Sequence, residues 1–459
     1  MNLFPGVSYA RITNMEHLSN NNQVCVIGAG IAGLTTAVFL ARQNIPVTVI
    51  EKQSSPGGLL RSISLGNERI ERFYHFICMP DVELIRLIEE VGLKNKLHWR
   101  SVKTSYFQES TLYPFSTPFD LLRFKPIPFL QRLRFGLNIL RSRYRENWHE
   151  LDSCPAKDWL IQRIGIDAYE KIWKPLLLIK FGHYHEQISA AWLWHRINRV
   201  ARSRKKIWQR ETMGYVENGF DHLINALLAE LKARNVRVLL NTPVTQLLIH
   251  NGKITGVSLE SDMNTLPCRA ACSTIPLTLL SGLVKESESV NDSRFKKAAA
   301  IAYIGVVCVL LQLKHPLTES FWVNVNSSRI PFNGFIEYTN LNRHFDHGNS
   351  HLVYIPFYVP VESERYQQAD DTLLEECFTA IKFIQPHFNA DWVINSIISR
   401  EMHAQPICTT GFSTRIPAMQ GTIKGLFISD ASQIYPEDRT VSGMIRQATQ
   451  IAQAIREEW

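Results

Sequence analysis

Apolar residues in this chain fall into short unbroken runs and into helical stripes, and the two kinds alternate. Gln23 to Ile27 is an apolar run of the kind that forms a buried parallel strand, and Ile31 to Gln43 follows with helical character. After Asn44-Ile45-Pro46 comes a second short run, Val47 to Ile50. VRVLLNTPVTQLLIHNGKITGVSLES reads as alternating strands turned at Asn251-Gly252, a pair suited to the positive φ angles of tight hairpins. IAYIGVVCVLLQL, FNGFIEYTN and HLVYIPFYVPV also have strand character. Gly425 to Ser429 predicts a last short buried strand, and a closing helix starts at about Ser442. In the stretch 72–212 the pattern is mainly helical, with many aromatic residues and arginines. The chain is therefore expected to be α/β, with a parallel sheet near its ends and mixed sheet and helices between.

The first strand–helix junction carries chemistry. Gly28, Gly30 and Gly33 have G-x-G-x-x-G spacing, which provides a tight turn, close backbone approach to a pyrophosphate and close helix–strand packing. Ile31, Ala32 and Gly33 open the helix, where free N–H groups favour negative charge. Glu51 ends the second strand about twenty residues on, where such turns place a carboxylate on ribose hydroxyls. Strand, helix, strand and acid in register indicate a dinucleotide, and the carboxylate argues against a 2′-phosphate.

The next residues, KQSSPGGLLRS, narrow the choice. With Glu51 and Lys52 followed by Gly57, Gly58, Leu59 and Arg61, the chain resembles the FAD-binding start of the amine oxidase and protoporphyrinogen oxidase flavoproteins, within them the bacterial protoporphyrinogen-oxidase-like group. The resemblance implies a Rossmann-like FAD-binding domain with parallel sheet and β-meander, and an interleaved substrate domain of mixed sheet and helices. It also implies a return to the cofactor at the C-terminus. KGLFISDASQIYPEDRTVSGMIRQATQ supplies this, with Asp430 for the ribityl hydroxyls and Ser442, Gly443 and Met444 presenting backbone N–H groups to the flavin. Ser429 stands where the family has a glycine. MGYVENGFDHLINALLAEL resembles a family glycine motif with Asn218 replacing one glycine, and Val244 takes the position of an adenine contact. On this basis residues 1–20 form a flexible lead-in, and 21–71, 213–279 and 401–459 form a discontinuous FAD-binding domain. Residues 72–212 and 280–400 form the substrate domain, with a basic helical part at about 100–210.

The resemblance implies an FAD-dependent oxidoreductase passing hydride from an organic substrate to flavin N5. The alternatives are a non-redox flavoenzyme of the UDP-galactopyranose mutase type and a flavin-binding scaffold without turnover. Two residues are catalytic candidates: His75, a flavin-side group or a core histidine, and Lys180, which would place charge or water near N5. Tyr338 and Tyr354 lie on the expected pocket sheet, as substrate clamps or core residues. No aromatic pattern around Cys408 supports a covalent flavin link.

Charge adds one feature. The chain has 50 Lys and Arg against 42 Asp and Glu, and the surplus lies in two basic stretches, at residues 123–145 and 196–210. A local excess of this kind points to an anionic ligand or surface, and no motif of nucleic-acid recognition accompanies it. Arg202 and Arg204 are candidates for an anionic or lipid-like substrate. Leu130, Leu133, Leu137, Leu140 and Tyr144 recur at helical spacing between the arginines, either packing on the domain or meeting a membrane surface peripherally. No apolar run is long enough to span a bilayer, and the eight cysteines lack metal-ligand spacing, so reduced buried thiols and a cytoplasmic location are expected, with no metal. The electron acceptor is left open.

Overall fold

The computed structural model describes residues 21–459 apart from 67, 146, 261–264, 285–295, 297–299 and 345–348; the lead-in lies outside the described residues. Five short strands form a parallel sheet in the order Arg237–Leu239, Val47–Ile50, Val24–Ile27, Ala270–Ser273, Leu426–Ile428. Each of the three central strands is buried on both faces, which explains why they read as unbroken apolar runs. Val24 and Val26 pack with Leu34 and Val38 of the helix Ile31–Arg42 and with Ile445 and Ile451 of the closing helix Val441–Glu458. Cys25 and Ile27 face the opposite way, into a core shared with Leu247, Ile254 and Val257 of the meander. That meander is the three-stranded antiparallel sheet Val244–His250, Lys253–Leu259, Thr265–Pro267. Asn251 and Gly252 turn its hairpin with φ of 50° and 70°, as their sequence predicts.

The second large sheet has seven mixed strands, with Tyr303–Leu313 flanked by Val393–Pro406 and His351–Val359. Period-two alternation divides its apolar residues between two cores. Val307, Val309 and Leu311 meet Leu373, Cys377 and Ile381 of the helix Asp370–Ile384. Val306, Cys308 and Leu310 turn toward Ile336 and Tyr354 in the core reaching the helical region. The expected fold class is present in all its parts: parallel sheet, meander, and mixed sheet with helices. All eight cysteines are free; seven are buried and Cys154 is half-buried. Burial pushes the thiol of Cys78 up to about 11, and those of Cys272 and Cys377 up to about 12.

The basic helix Phe129–Tyr144 differs from the packing alternative. Phe135, Asn138 and Ser142 form its buried side, whereas Leu130, Leu133, Leu137 and Tyr144 are exposed. The helix Ala190–Arg202 decides the orientation: Asn198 Nδ2 donates to the Ser142 carbonyl at 2.7 Å, and Arg143 reaches the Ala201 carbonyl at 2.6 Å. Polar groups with backbone partners lie inward, and the leucine stripe is left outside apart from the half-buried Leu140.

Glu337, at the end of the strand Gly334–Glu337, is fully buried and accepts hydrogen bonds from the Leu317 and Thr318 backbone N–H groups and the Thr318 hydroxyl. Burial outweighs these bonds and pushes its carboxyl up to about 8. The folded state therefore binds a proton that the unfolded chain releases, so this stabilisation is complete below about pH 4.5 and is lost as pH rises through about 8. Melting temperatures between pH 5.5 and 8.5 should fall by a few degrees for the native chain, and Glu337→Gln should remove most of that slope.

Candidate active site

Gly28 leaves the first strand with φ of 103°, and its N–H donates to the Ile50 carbonyl at 2.8 Å. A side chain at Gly28 would stand 2.6 Å from Thr274 Oγ1, and one at Gly33 would stand 2.0 Å from the Gly28 carbonyl oxygen. Only glycine fits at either place. The turn thereby brings the N-terminus of the helix Ile31–Arg42 to the edge of the sheet, capped at Gly30 by no side chain. Its first N–H groups, on Ile31, Ala32 and Gly33, have no partner within the helix. Glu51 lies beside them, its Oε2 accepting from the Ala29 N–H at 2.8 Å and its Oε1 from the Gln53 N–H at 2.9 Å.

The second glycine pair is packed on the first. Gly57 has φ of 111° and donates to the Ala29 carbonyl at 2.8 Å; a Cβ on Gly58 would lie 3.2 Å from the Gly30 Cα. Leu59 and Arg61 follow half-buried, with Arg61 Nη1 3.4 Å from Ser55 Oγ, and Lys52 is exposed. Val244 opens the meander, half-buried.

The C-terminal element reaches the same edge of the sheet. The Ser429 N–H donates to the Ser273 carbonyl, and the Ser429 hydroxyl donates to Gln447 Oε1 at 2.9 Å in the closing helix. The serine in place of a glycine is thus accommodated by an anchor to the next element. Asp430 is buried, accepting from the Ser432 N–H at 2.7 Å and the Tyr303 hydroxyl at 2.6 Å, and burial raises its carboxyl despite these bonds. At the start of the closing helix Thr440 occupies two of the expected donors, its hydroxyl accepting from Gly443 N–H and its carbonyl from Met444 N–H. The Ser442 N–H remains for a ligand, while the Ser442 hydroxyl donates to Glu83 Oε2. A cradle that excludes side chains, unpaired helix N–H groups and a ribose-type carboxylate together fit a dinucleotide pyrophosphate.

Between the mixed sheet and the helices Lys174–Phe181 and Ala190–Arg202 lies a cavity lined by Tyr74, Trp322, Tyr358, Trp192, Lys180 and Arg196, with Trp173 and Leu177 beyond. Lys180 Nζ lies 4.8 Å from the Tyr358 ring centroid and 5.1 Å from that of Trp192, and burial holds its amine well below the usual lysine range. The Tyr358 hydroxyl meets the Tyr74 hydroxyl at 3.0 Å and accepts from Arg439 at 2.6 Å. Asp438 pairs with Arg196 at 2.8 Å; burial opposes its ionisation, but Lys180, Arg196 and Arg439 outweigh burial and keep it well below the carboxylate range. Arg199 is held by Asp81 through two hydrogen bonds. The loop before the closing helix therefore runs from Asp430 to two supports of the cavity wall, Asp438 holding Arg196 and Arg439 holding Tyr358.

Of the catalytic candidates, Lys180 lines the cavity and His75 does not: its Nδ1 faces Glu71 Oε2 at 3.4 Å and its ring packs edge-on to Phe220. Tyr354 donates to the Glu71 carbonyl, and Tyr338 packs against it, both in the core. Arg202 is exposed, and Arg204 pairs with Glu211 at 2.6 Å, so neither reaches the cavity. Tyr74, Trp322 and Tyr358 are cavity residues that the sequence reading missed, as is Arg439, which holds the Tyr358 hydroxyl from behind. Arg439 lies in the loop between two recognised flavin segments, and Tyr74 is adjacent to His75; position was the available signal.

Comparison with known proteins decides the family. The family model described as flavin containing amine oxidoreductase matches residues 31–455. The chain belongs to the flavin containing amine oxidoreductases. FAD is accordingly its cofactor, and the chain is an FAD-dependent oxidoreductase. This amine oxidoreductase is 28% identical over 178 residues to coproporphyrinogen III oxidase of Staphylococcus aureus, covering 36% of this chain and 38% of that protein. It is 23% identical over 272 residues to hydroxyneurosporene desaturase of Rubrivivax gelatinosus, covering 52% and 50%. The alignments thus span about half or less of these relatives. An oxidoreductase from Methanosarcina mazei shares the fold, with a TM-score of 0.72 at 18% identity over 94% of this chain and 100% of that one.

Glu51→Ala should lower FAD affinity by about 1.5–3 kcal/mol, the worth of a charge-assisted hydrogen bond to the ribose. Equilibrium dialysis of the flavin gives the measurement, and unchanged retention would mean that the ribose lies elsewhere.

Proposed function

We propose that this oxidoreductase takes hydride from a largely apolar organic molecule bearing an anionic group, bound at the cavity that Tyr74, Trp322 and Tyr358 line. The carrying observation is the charge lining this aromatic cavity. Arg196 and Arg199 are matched by Asp438 and Asp81, while Arg439 donates to the Ala404 carbonyl and the Tyr358 hydroxyl and forms no ion pair among the described residues. A cationic amine would enter against that charge, and a carboxylate would complete it. Aromatic faces on three sides suit a flat or conjugated body. The relatives named for porphyrinogen and carotenoid oxidation are apolar-substrate enzymes in this sense, and of the two a carboxylated porphyrinogen matches the charge better than a hydrocarbon. The mutase alternative draws no support from relatives that are named for oxidation and desaturation.

FAD, when bound, supplies the two-electron acceptor. The protein's part is to orient and to move a proton. Arg439 fixes the Tyr358 hydroxyl, and Tyr358 in turn fixes Tyr74, so two aromatic walls are set by one guanidinium beside the cradle. Lys180, kept toward its neutral amine by burial, accepts the proton that the substrate loses with its hydride. The external electron acceptor is then free to be oxygen, a quinone or another carrier. A peripheral position at a membrane would suit an apolar substrate.

Anaerobic mixing of the holoprotein with coproporphyrinogen III should bleach its visible flavin band, whereas a primary amine such as benzylamine should not. The rate should rise with pH as Lys180 loses its proton and level off below the ordinary lysine value. Lys180→Met should flatten that limb, and Arg196→Ala should raise KM roughly tenfold. Bleaching by the amine alone, or an unchanged pH profile in Lys180→Met, would defeat the reading.

A further inference from the structure

We propose that the face formed by the helices Pro118–Arg123 and Phe129–Tyr144 docks the protein on an anionic phospholipid surface, with Arg134, Arg141 and Arg163 receiving a lipid phosphate. Six large apolar side chains are exposed on these two neighbouring helices: Phe119, Leu122, Phe129, Leu130, Leu133 and Leu137. Leu130 keeps 67% of its surface and Phe119 and Phe129 keep 59%, and they are grouped on two adjoining helices rather than scattered singly over the surface. Residues 118–145 contain seven Arg and Lys and one acid, Asp120. That acid is committed to the capping box of its own helix, where it accepts from Thr117. The face therefore combines apolar anchors with a positive rim, the pairing that holds a helix at the level of lipid headgroups.

A cleft at the edge of this face adds a receptor for the phosphate. Arg134, Leu137, Arg141, Gln162 and Arg163 line it, so Leu137 belongs both to the apolar face and to the cleft. Arg134 is fixed in place by the Gln162 and Arg163 carbonyls, at 2.6 and 3.3 Å. Arg141 is exposed, Arg163 is half-buried, and neither forms an ion pair among the described residues. Three arginines lining one cleft with no carboxylate among its lining residues suit one phosphate diester bearing apolar tails. The same helix turns Phe135 inward, its ring centroid 6.3 Å from that of Trp173 on the cavity wall. The docking face and the substrate cavity are thus separated by one layer of side chains.

Co-sedimentation of the full-length holoprotein with vesicles tests this without turnover, so failure of the redox reading leaves the outcome readable. Binding is expected to phosphatidylcholine/phosphatidylglycerol vesicles, roughly tenfold weaker to phosphatidylcholine alone, and weakened by salt. Arg141→Ala combined with Arg163→Ala should erase the preference for the anionic lipid. Leu130→Ser combined with Leu133→Ser should lower binding to both vesicles about tenfold or more, and circular dichroism with retained flavin checks that each variant is folded. No sedimentation with the anionic vesicles would overturn the proposal, as would undiminished binding by both double variants. Full displacement by millimolar inorganic phosphate would show a site for free phosphate. Self-association of the native chain that the leucine variant abolishes would show a second copy on this face. Either of these last two outcomes also overturns it.

Discussion

The contact on which the site depends is that between Gly33 and the carbonyl oxygen of Gly28. Any side chain at Gly33 would overlap that oxygen, and any at Gly28 would overlap the Thr274 hydroxyl, which itself donates to the Ile27 carbonyl. Three segments distant in sequence are therefore drawn together where the central strands end: the glycine turn, the residue following Ala270–Ser273, and the returning strand Leu426–Ile428. The Gly57-Gly58 turn packs onto the same point through Ala29 and Gly30. Close backbone approach replaces side-chain packing at this junction, and the groups left outward are N–H donors and one carboxylate. A dinucleotide is what such a surface can hold.

A second constraint couples the cradle to the cavity. The loop from Asp430 to Thr440 carries residues of both kinds, with Asp430 held at the sheet edge by Tyr303 and Ser432 and with Asp438 and Arg439 toward the aromatic walls. Asp438 is kept ionised by its neighbour Arg439 and by Arg196 from another segment, with Lys180 adding to them when protonated. Removing it would leave buried positive charge without a counter-ion, a far larger penalty than losing a surface pair. The loop is therefore fixed by electrostatics on one side and by the Thr440 cap on the other.

Much of the cofactor side was legible in sequence because its constraints are local. Glycine spacing, an acid at a strand end and an Asn-Gly turn each follow from backbone geometry over a few residues, and the strands lie within a residue or so of their expected bounds. The cavity was less legible because its walls come from distant segments. Tyr74, Trp322 and Tyr358 belong to three parts of the chain, and nothing in their own neighbourhoods distinguishes them from Tyr338 or Tyr354, which pack in the core. Arg204 looked available in sequence and is paired with Glu211, a partner seven residues away that burial, not spacing, selects. The leucine stripe of Phe129–Tyr144 left two readings open for a related reason. Helical periodicity locates a face but not its direction, and here Asn198 and the Phe135 ring determine which side turns inward.

The buried cysteines have a consequence for chemical ageing. Oxidation of sulfur proceeds through the thiolate, and burial suppresses that form at Cys78, Cys272 and Cys377 while also keeping oxidants away. The protein thus carries eight cysteines with little reactive thiol at its surface. Its resistance to ageing would then be set by its flavin and its fold rather than by its thiols.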